Sequence, residues 1–292
     1  MTTLESLQQH FRTLRMPTAV EVVADTMQIA LQENWSLETF LLALLEQEIE
    51  GRRLRRIERL LKASQLPPEK TLATFDQERL PLRLRRLLPQ LCTGEFVDRA
   101  ENILVFGLPG RGKTHFAAAV GFELIQLGRS VLFTPTYRLV DRLLRARRDL
   151  LLEAQLRSLD RFEVLILDDI GYVQQSQDEM EVLFTLLAER YERRSVIITS
   201  NLVFSQWDQI FKNPMTTAAA IDRVVHHSII VEFGKEISSH RADQAALRQQ
   251  EVPSYGFAEL TSRSSELLSS STVPPLGSLP LRLCAVEGMI IP

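Results

Sequence analysis

The apolar positions of this chain change from a continuous helical period to an alternation of strands and helices near residue 95. From Leu37 to Leu61, apolar residues recur every three or four positions, which is typical of amphipathic helix. This segment predicts one long helix, or two helices that are broken near Gly51. From about residue 96, short apolar runs alternate with helical patterns, which indicates a parallel sheet with crossover helices. The sequence therefore predicts an α/β fold that is preceded by a small all-α domain.

Three parts are predicted along the chain. Residues 1–95 form a helical domain for assembly or for binding DNA or a partner, and residues 96–250 form the α/β domain. Residues 251–292 are rich in Ser and contain Pro without periodicity, so we expect a largely disordered tail. The predicted strands of the α/β domain are Ile103–Phe106, Ser130–Pro135, Arg161–Asp169, Ser195–Asn201 and Ser228–Phe233. Two of its predicted helices cover residues 136–159 and 179–193.

Composition narrows the class of protein. The chain has 292 residues, a hydrophobic fraction of 45% and a formal net charge of −3. Two cysteines that lie far apart, Cys92 and Cys284, make a disulfide framework or a zinc site a poor interpretation. The first residues lack the basic and apolar regions of a signal peptide, and no apolar run is long enough to span a bilayer. We therefore expect a soluble cytoplasmic protein with no membrane partner.

The strongest chemical signal is the pattern Gly-x-x-x-x-Gly-Lys-Thr that directly follows the first predicted strand. It is a complete P-loop, whose backbone N–H groups cradle phosphates while the lysine reaches the β- and γ-phosphates. A chance match in a Gly-rich turn is disfavoured, because a strand precedes the pattern and an amphipathic helix follows it. The motif predicts binding of ATP or GTP with Mg²⁺, which the Thr114 hydroxyl would ligate. The predicted nucleotide-binding residues here are Gly107, Leu108, Pro109, Gly110, Arg111, Gly112, Lys113, Thr114 and His115.

Two carboxylates, Asp168 and Asp169, end the third predicted strand in the manner of a Walker B motif. Asp168 is expected to serve Mg²⁺, and Asp169 to orient or deprotonate the attacking water. The pair could instead cap a turn at the strand end. Asn201, at the end of the next strand, is the candidate for sensing the γ-phosphate, although an Asx-turn would produce the same residue there.

Arginine clusters on two predicted helices are candidate contacts to DNA phosphates. A net charge of −3 argues against coating the whole surface with polyanion, so binding would use local patches. The alternative for both clusters is a solvated helix face. The preferred candidates are Arg138, Arg142, Arg145, Arg147 and Arg148, followed by Arg52, Arg55, Arg56 and Arg59.

Several stretches in a fixed order carry a resemblance to a known family. They are Gly107–Thr114, Asp168-Asp-Ile-Gly-Tyr172, Glu189-Arg-Tyr-Glu-Arg-Arg194, Thr199-Ser-Asn201 and Ile221-Asp-Arg-Val-Val-His-His227. Together they resemble the IstB-like ATPases, the transposition helpers of bacterial insertion elements. These are relatives of the DnaA initiator and the DnaC helicase loader in the AAA+ superfamily. The resemblance covers roughly residues 5–250.

That resemblance implies an ATP-binding AAA+ homo-oligomer that assembles on duplex DNA and activates a cognate transposase. It implies slow ATP hydrolysis, stimulated by assembly and DNA, with Arg223 completing the site of the neighbouring subunit. It implies more weakly that Arg241 acts as a second sensor, because His240 stands where the family has Tyr. Arg111 also departs from the usual Thr.

Two rival functions stand beside this one. The first is an adaptor that loads a replicative helicase during initiation of DNA replication, with the helical domain binding that helicase. The second is a small-molecule kinase, which lacks support because the arginine-rich stretch after the second strand is not an obvious acceptor lid.

Overall fold

The computed structural model of the chain describes residues 2–170, 176–202 and 224–234, all of which belong to one compact unit. Its N-terminal part is helical, as predicted. The helices there are α1 (Thr3–Thr13), α2 (Pro17–Gln32), α3 (Leu37–Ser64), α4 (Leu82–Cys92) and α5 (Glu95–Asp98), with a 3-10 turn at Gln77–Arg79.

A five-stranded parallel sheet follows, with helices between its strands, which confirms the predicted fold class. The strand order is β2-β3-β4-β1-β5, so β1 lies between β4 and β5. Because all pairs are parallel, the carboxyl ends of the strands meet at one edge, where α/β proteins bind ligands. The strands are β1 (Asn102–Gly107), β2 (Val131–Pro135), β3 (Val164–Asp168), β4 (Ser195–Ser200) and β5 (Ser228–Phe233). The helices are α6 (Lys113–Gln126), α7 (Thr136–Arg148), α8 (Leu152–Asp160) and α9 (Gln177–Arg190).

Alternate residues of β1 enter two different hydrophobic clusters, one on each face of the sheet. Ile103 and Val105 face the cluster that contains α6 and α4, whereas Leu104 and Phe106 face the cluster of α7 and α9. Ile57 of α3 is a member of the first cluster. The helical N-terminal part therefore shares a core with the sheet.

The long apolar pattern forms one helix of 28 residues, α3, and is not broken at Gly51. A Cβ at position 51 would collide with the hydroxyl of Thr18 on α2, so the glycine permits a close crossing of two helices. α3 ends at Ser64 with Gln65 in the left-handed region, before the two prolines that follow.

Glu48 is a carboxylate buried under this crossing, with 3% of its surface exposed. It accepts a hydrogen bond of 3.0 Å from the Ala19 amide in the first turn of α2, where backbone donors lack partners. Arg52 donates to it at 2.8 Å, and Arg55 lies 3.4 Å away. Burial raises the pKa of the Glu48 carboxyl, but these hydrogen bonds and cations outweigh burial and lower the pKa below its usual value.

The helix predicted over residues 136–159 is wrong in its middle. α7 ends at Arg148 and α8 begins at Leu152, with Leu150 in the left-handed region at a φ of 59°. The helical period of the apolar residues continues across the break, so the pattern alone did not reveal it. Residues after 250, including the predicted disordered tail, lie outside the described residues.

Arg190, in a stretch that carries the family resemblance, is buried to 2% exposure. It donates to the carbonyls of Leu159, Phe162, Glu163 and Ser195 at 3.0 to 3.3 Å. Burial lowers the pKa of the guanidinium to about 9, which leaves it charged at neutral pH. Arg190 therefore connects α8, the turn before β3, and β4 as a structural residue.

Candidate nucleotide-binding site

The loop between β1 and α6 has the backbone that its glycines predict. Gly107, Gly110 and Gly112 have φ values of 153°, 78° and 93°, which side chains disfavour. Gly107 also lies against β5, because a Cβ there would come within 2.8 Å of the Phe233 carbonyl oxygen. The loop delivers the chain into the first turn of α6, whose free N–H groups and positive dipole end favour an anion.

Lys113 begins α6, and its side chain is nearly enclosed, with 6% exposed. The ammonium group donates to the Leu108 carbonyl at 3.0 Å and to Oδ1 of Asn201 at 2.5 Å. Both of these acceptors are neutral oxygens, and they hold the ammonium group beside the loop. A cation held in this way suits phosphate oxygens that reach the loop.

The Walker B carboxylates follow β3 in two different backbone conformations. Asp168 is the last residue of the strand, and Asp169 is in the left-handed region with a φ of 60°. Asp tolerates that region better than most residues, because its short side chain bonds locally. The turn directs the Asp169 carboxylate to the Asn201 amide nitrogen, which donates to it at 2.8 Å.

Asn201 joins two segments that are far apart in sequence. Its amide oxygen accepts from Lys113 and its amide nitrogen donates to Asp169. Asn201 directly follows β4, which lies between β1 and β3 in the sheet. The strand order therefore brings together the P-loop lysine, the predicted water-activating acid and the predicted sensor.

The donor groups here fit Mg²⁺. Within residues 2–170, 176–202 and 224–234, no group of three or more His, Cys, Asp or Glu side chains could hold a metal ion. Mg²⁺ does not need such a cage, because it commonly takes one or two protein oxygens together with substrate phosphates and waters. Thr114 supplies a hydroxyl in the first turn of α6, and Asp168 supplies a carboxylate at the end of β3.

His115 was predicted with the nucleotide loop, and the structure directs its ring to the segment before α4. Nε2 lies 3.0 Å from the Thr71 carbonyl and 3.2 Å from the Thr74 hydroxyl. The ring centre of Phe75 is 5.0 Å from that of His115, and a Cβ at Gly112 would lie 3.5 Å from Phe75. Sequence reasoning missed Phe75, whose only signal was an aromatic residue in a polar stretch.

The arginines of α7 fall into two groups. Arg145 pairs with Asp141 at 2.6 Å, and Arg147 pairs with Glu181 of α9 at 3.1 Å. Arg138, Arg142 and Arg148 are exposed, and the structure shows no ion pair for these three among the described residues. The second group therefore has the charge that is most available to an external anion.

Most arginines of α3 make contacts within the chain. Arg52 donates to Glu48 and to the Arg15 carbonyl, both at 2.8 Å, and Arg55 donates to the Thr18 hydroxyl at 2.8 Å. These two arginines stabilise the crossing of α2 and α3, whatever else they bind.

The remaining α3 candidates differ from each other. Both Arg56 and Arg59 are exposed, and Arg56 donates to the Gly128 carbonyl at 3.0 Å. Arg223 and Arg241 lie outside the described residues, so their roles stay predictions.

No described helix is both long enough and apolar enough to cross a membrane.

The P-loop geometry described above is accompanied by a match to a known protein family. A family model described as IstB-like ATP binding protein matches residues 9–246 of this chain. The chain belongs to the IstB-like ATP-binding protein family. This confirms the resemblance that the motifs carried.

Relatives of this IstB-like protein are ATP-binding proteins of insertion sequences by name. One from Sinorhizobium fredii is 42% identical over 256 residues, covering 87% of this chain and 85% of the relative. The protein named for insertion sequence IS5376 of Geobacillus stearothermophilus is 37% identical over 246 residues, covering 84% and 97%. The protein named for IS21 of Pseudomonas aeruginosa is 38% identical over 214 residues, covering 73% and 81%.

Among solved structures, DnaA of Aquifex aeolicus bound to AMPPCP matches with a TM-score of 0.52. That match has 16% identity and covers 69% of this chain and 70% of DnaA. At this identity the likeness shows a shared fold and nothing beyond it.

Proposed function

We propose that this IstB-like protein hydrolyses ATP slowly, assembles on duplex DNA and assists the transposase of an insertion element. The observation that carries the proposal is the junction of Lys113, Asn201 and Asp169 at the carboxyl edge of the sheet. A protein that only held nucleotide would not need an acid and an amide beside the P-loop lysine. The names of the relatives point to insertion elements as the setting.

Nucleotide binding uses groups on the loop and the first turn of α6. The backbone donors of residues 107–115 hold the phosphates, and Lys113 contributes a point charge that Asn201 and Leu108 position. Mg²⁺, when held by Thr114 and Asp168, neutralises charge on the phosphates. Phe75 and His115 form one wall beside Gly112, where an apolar base edge could pack.

Hydrolysis requires a positioned water and a further cation. Asp169 orients the water or accepts its proton, and Asn201 fixes the Asp169 carboxylate through a hydrogen bond of 2.8 Å. Arg223 of an adjacent subunit supplies positive charge to the transferring phosphoryl group, which makes turnover conditional on assembly. Arg241 acts as the second sensor. The nucleotide then works as a timer for the assembly.

DNA binding uses the outer face of α7. Arg138, Arg142 and Arg148 make no ion pair with the described residues, and arginines that contact phosphates bind duplexes with little sequence preference. The protein acts in the cytoplasm, where a bacterial insertion element and its transposase meet.

Duplex binding by the full chain, with and without nucleotide, tests the proposal. Fluorescence anisotropy of a labelled duplex should show tighter binding with MgATP than with MgADP or no nucleotide. Lys113→Ala should remove this difference, whereas Lys62→Ala, which alters an exposed pair with Glu58, should keep it. Equal duplex affinity in all nucleotide states would contradict the proposal.

A pull-down from cells that carry the element identifies the partner. Recovery of the transposase supports the proposed function. Recovery of a replicative helicase in its place would replace this function with helicase loading.

A further inference from the structure

Thr199 lies on β4, next to the Walker B turn at Asp168–Ile170, and makes three hydrogen bonds to that turn. Its hydroxyl donates to Oδ1 of Asp168 at 2.7 Å and accepts from the Asp169 amide at 2.8 Å. Its own carbonyl accepts from the Ile170 amide at 3.0 Å. The residue is 1% exposed, so water does not compete for these groups.

Each bond constrains a different feature of the two carboxylates. The bond to Asp168 commits one carboxylate oxygen and fixes the rotation of that group, which leaves the other oxygen for an ion. The bond from the Asp169 amide supports the left-handed backbone at a φ of 60°, a conformation that carries a cost for any side chain. That backbone in turn directs the Asp169 carboxylate to Asn201.

The hydroxyl of Thr199 donates its one proton to Asp168 and accepts from the Asp169 N–H, so both contacts depend on this oxygen. A serine could make the same two bonds, whereas a valine of nearly the same shape could make neither. Thr199 lies on β4 and Asn201 directly follows that strand, so both lie at the carboxyl edge of the sheet, next to the end of β3.

We infer that Thr199 is a positioning residue for both Walker B carboxylates, setting Asp168 for Mg²⁺ and Asp169 for water. The inference rests on the proposed MgATP hydrolysis. It assigns the metal affinity of the site to a side chain that touches neither nucleotide nor metal. Outer-shell groups that orient metal ligands commonly contribute about 10 to 100-fold to metal affinity.

The test measures metal dependence in the full chain, separately from turnover. A fluorescent ATP analogue is titrated at several Mg²⁺ concentrations, and the Mg²⁺ concentration that gives half of the gain in affinity is determined. Thr199→Val should raise that concentration by about tenfold or more. Its affinity for the analogue without Mg²⁺ should be unchanged, and Thr199→Ser should restore the wild-type value.

Thr136→Val is the matched control. Thr136 is equally buried, and its hydroxyl donates to the main-chain carbonyl of Asp168 at 3.0 Å and not to the carboxylate. Loss of a buried hydroxyl should therefore lower the stability of both valine variants, whereas loss of the contact to the Asp168 carboxylate should shift the Mg²⁺ requirement only in Thr199→Val.

The outcomes separate the two proposals. A folded Thr199→Val protein with the wild-type Mg²⁺ requirement overturns the positioning role, and so does an equal shift in Thr136→Val. If Thr199→Val does not fold by circular dichroism, Thr199→Ala removes the same hydroxyl and is judged by the same readout. A wild-type chain whose nucleotide affinity does not respond to Mg²⁺ contradicts the proposed function itself.

Discussion

The guanidinium of Arg56 on α3 donates a hydrogen bond of 3.0 Å to the carbonyl of Gly128, just beyond the end of α6. Arg53 donates to the Gln126 carbonyl, the last of that helix, at 3.3 Å. Cations at a helix C-terminus pair with free carbonyls and with the negative end of the dipole. The C-terminus of α6, the helix that begins at the phosphate loop, is therefore capped by arginines of α3.

Arg56→Ala should lower the free energy of unfolding by about 0.5 kcal/mol, because it removes a cation from the C-terminus of α6. Urea unfolding followed by circular dichroism measures this change. Arg59→Ala is the matched control: Arg59 is exposed on the same helix as Arg56, but the contact to the Gly128 carbonyl belongs to Arg56, so the unfolding midpoint should be unchanged. Equal midpoints for the two variants would show that the Gly128 contact does not contribute to stability.

Lys113→Ala, Asp168→Asn and Asp169→Asn should separate binding from chemistry. Lys113→Ala removes the charge that meets the γ-phosphate, so nucleotide affinity should fall strongly. Asp168→Asn should keep part of the binding but lose hydrolysis, because the ligand for Mg²⁺ is weakened. Asp169→Asn should bind MgATP normally and hydrolyse it about 100-fold more slowly, as expected for loss of a general base.

Phosphate release and equilibrium binding of a labelled nucleotide, measured on the same preparations, report these two properties. Normal turnover in Asp169→Asn would exclude Asp169 as the residue that prepares the water. Asn201→Ala should resemble Asp169→Asn in turnover, since it removes the hydrogen bond that holds that carboxylate.

Replacing Arg138, Arg142 and Arg148 together by Ala should weaken duplex binding about equally for all sequences. Removal of each arginine that neutralises a DNA phosphate should reduce the slope of log affinity against log salt by about 1. The matched variant replaces Arg145 and Arg147, whose charges are already paired with Asp141 and Glu181. Its slope should change less. An unchanged slope in the triple variant would place the duplex on another surface.

If Arg223 completes the site of the neighbouring subunit, as proposed, Arg223→Ala should bind ATP and fail to hydrolyse it. Mixing Arg223→Ala with Lys113→Ala should restore part of the activity, since some interfaces then pair an intact P-loop with an intact Arg223. Arg241→Ala provides a contrast, because a sensor of its own subunit's nucleotide gains nothing from mixing. No recovery in co-assembled Arg223→Ala and Lys113→Ala would exclude a role in trans.

Glu48→Gln should destabilise the crossing of α2 and α3 at neutral pH by about 1 to 3 kcal/mol, the cost of weakening a buried charge-assisted network. The pKa of Glu48 is lowered in the folded state, so its contribution is present above the unfolded value of 4.5 and declines as pH falls below it. The difference between wild type and variant should therefore shrink in acid. Urea unfolding at several pH values measures it.

Glu50→Gln is the control for that series. Glu50 is exposed and pairs with Arg53 at 2.9 Å on the surface of α3. Surface pairs contribute little to stability. A pH-independent difference between Glu48→Gln and wild type would show that the charge of Glu48 is not what stabilises the crossing.

The P-loop and the five strands were predictable because each rests on local sequence. Glycine spacing determines the loop, and short apolar runs bounded by polar residues determine the strands. The pairing of Lys113 with Asn201 was not predictable, because it depends on β4 lying next to β1. Which strands are adjacent is decided by the packing of the whole sheet, so the local sequences of β1 and β4 do not indicate it.

Burial of polar groups was the other feature beyond the reach of the sequence. Arg52 and Arg55 were candidates for phosphate contact or for a solvated helix face, but both bond to the buried Glu48 or to α2. Likewise Thr199 appeared only as the first residue of a motif that ends in Asn201. Its role emerges from distances to β3.

Helix α3 is continuous from Leu44, in the small core of the N-terminal helices, to Ile57, in the core beneath the sheet. In a rigid helix that is fixed at one end, a small rotation at that end displaces the other end in proportion to the length of the helix. The roughly 20 residues from Ile57 back to Leu37 span about 30 Å at about 1.5 Å per residue, so a tilt of about 5° at the sheet displaces the far tip by about 2.6 Å. A small tilt of α3 where it meets the sheet is thus geometrically magnified at the N-terminal end of this helix.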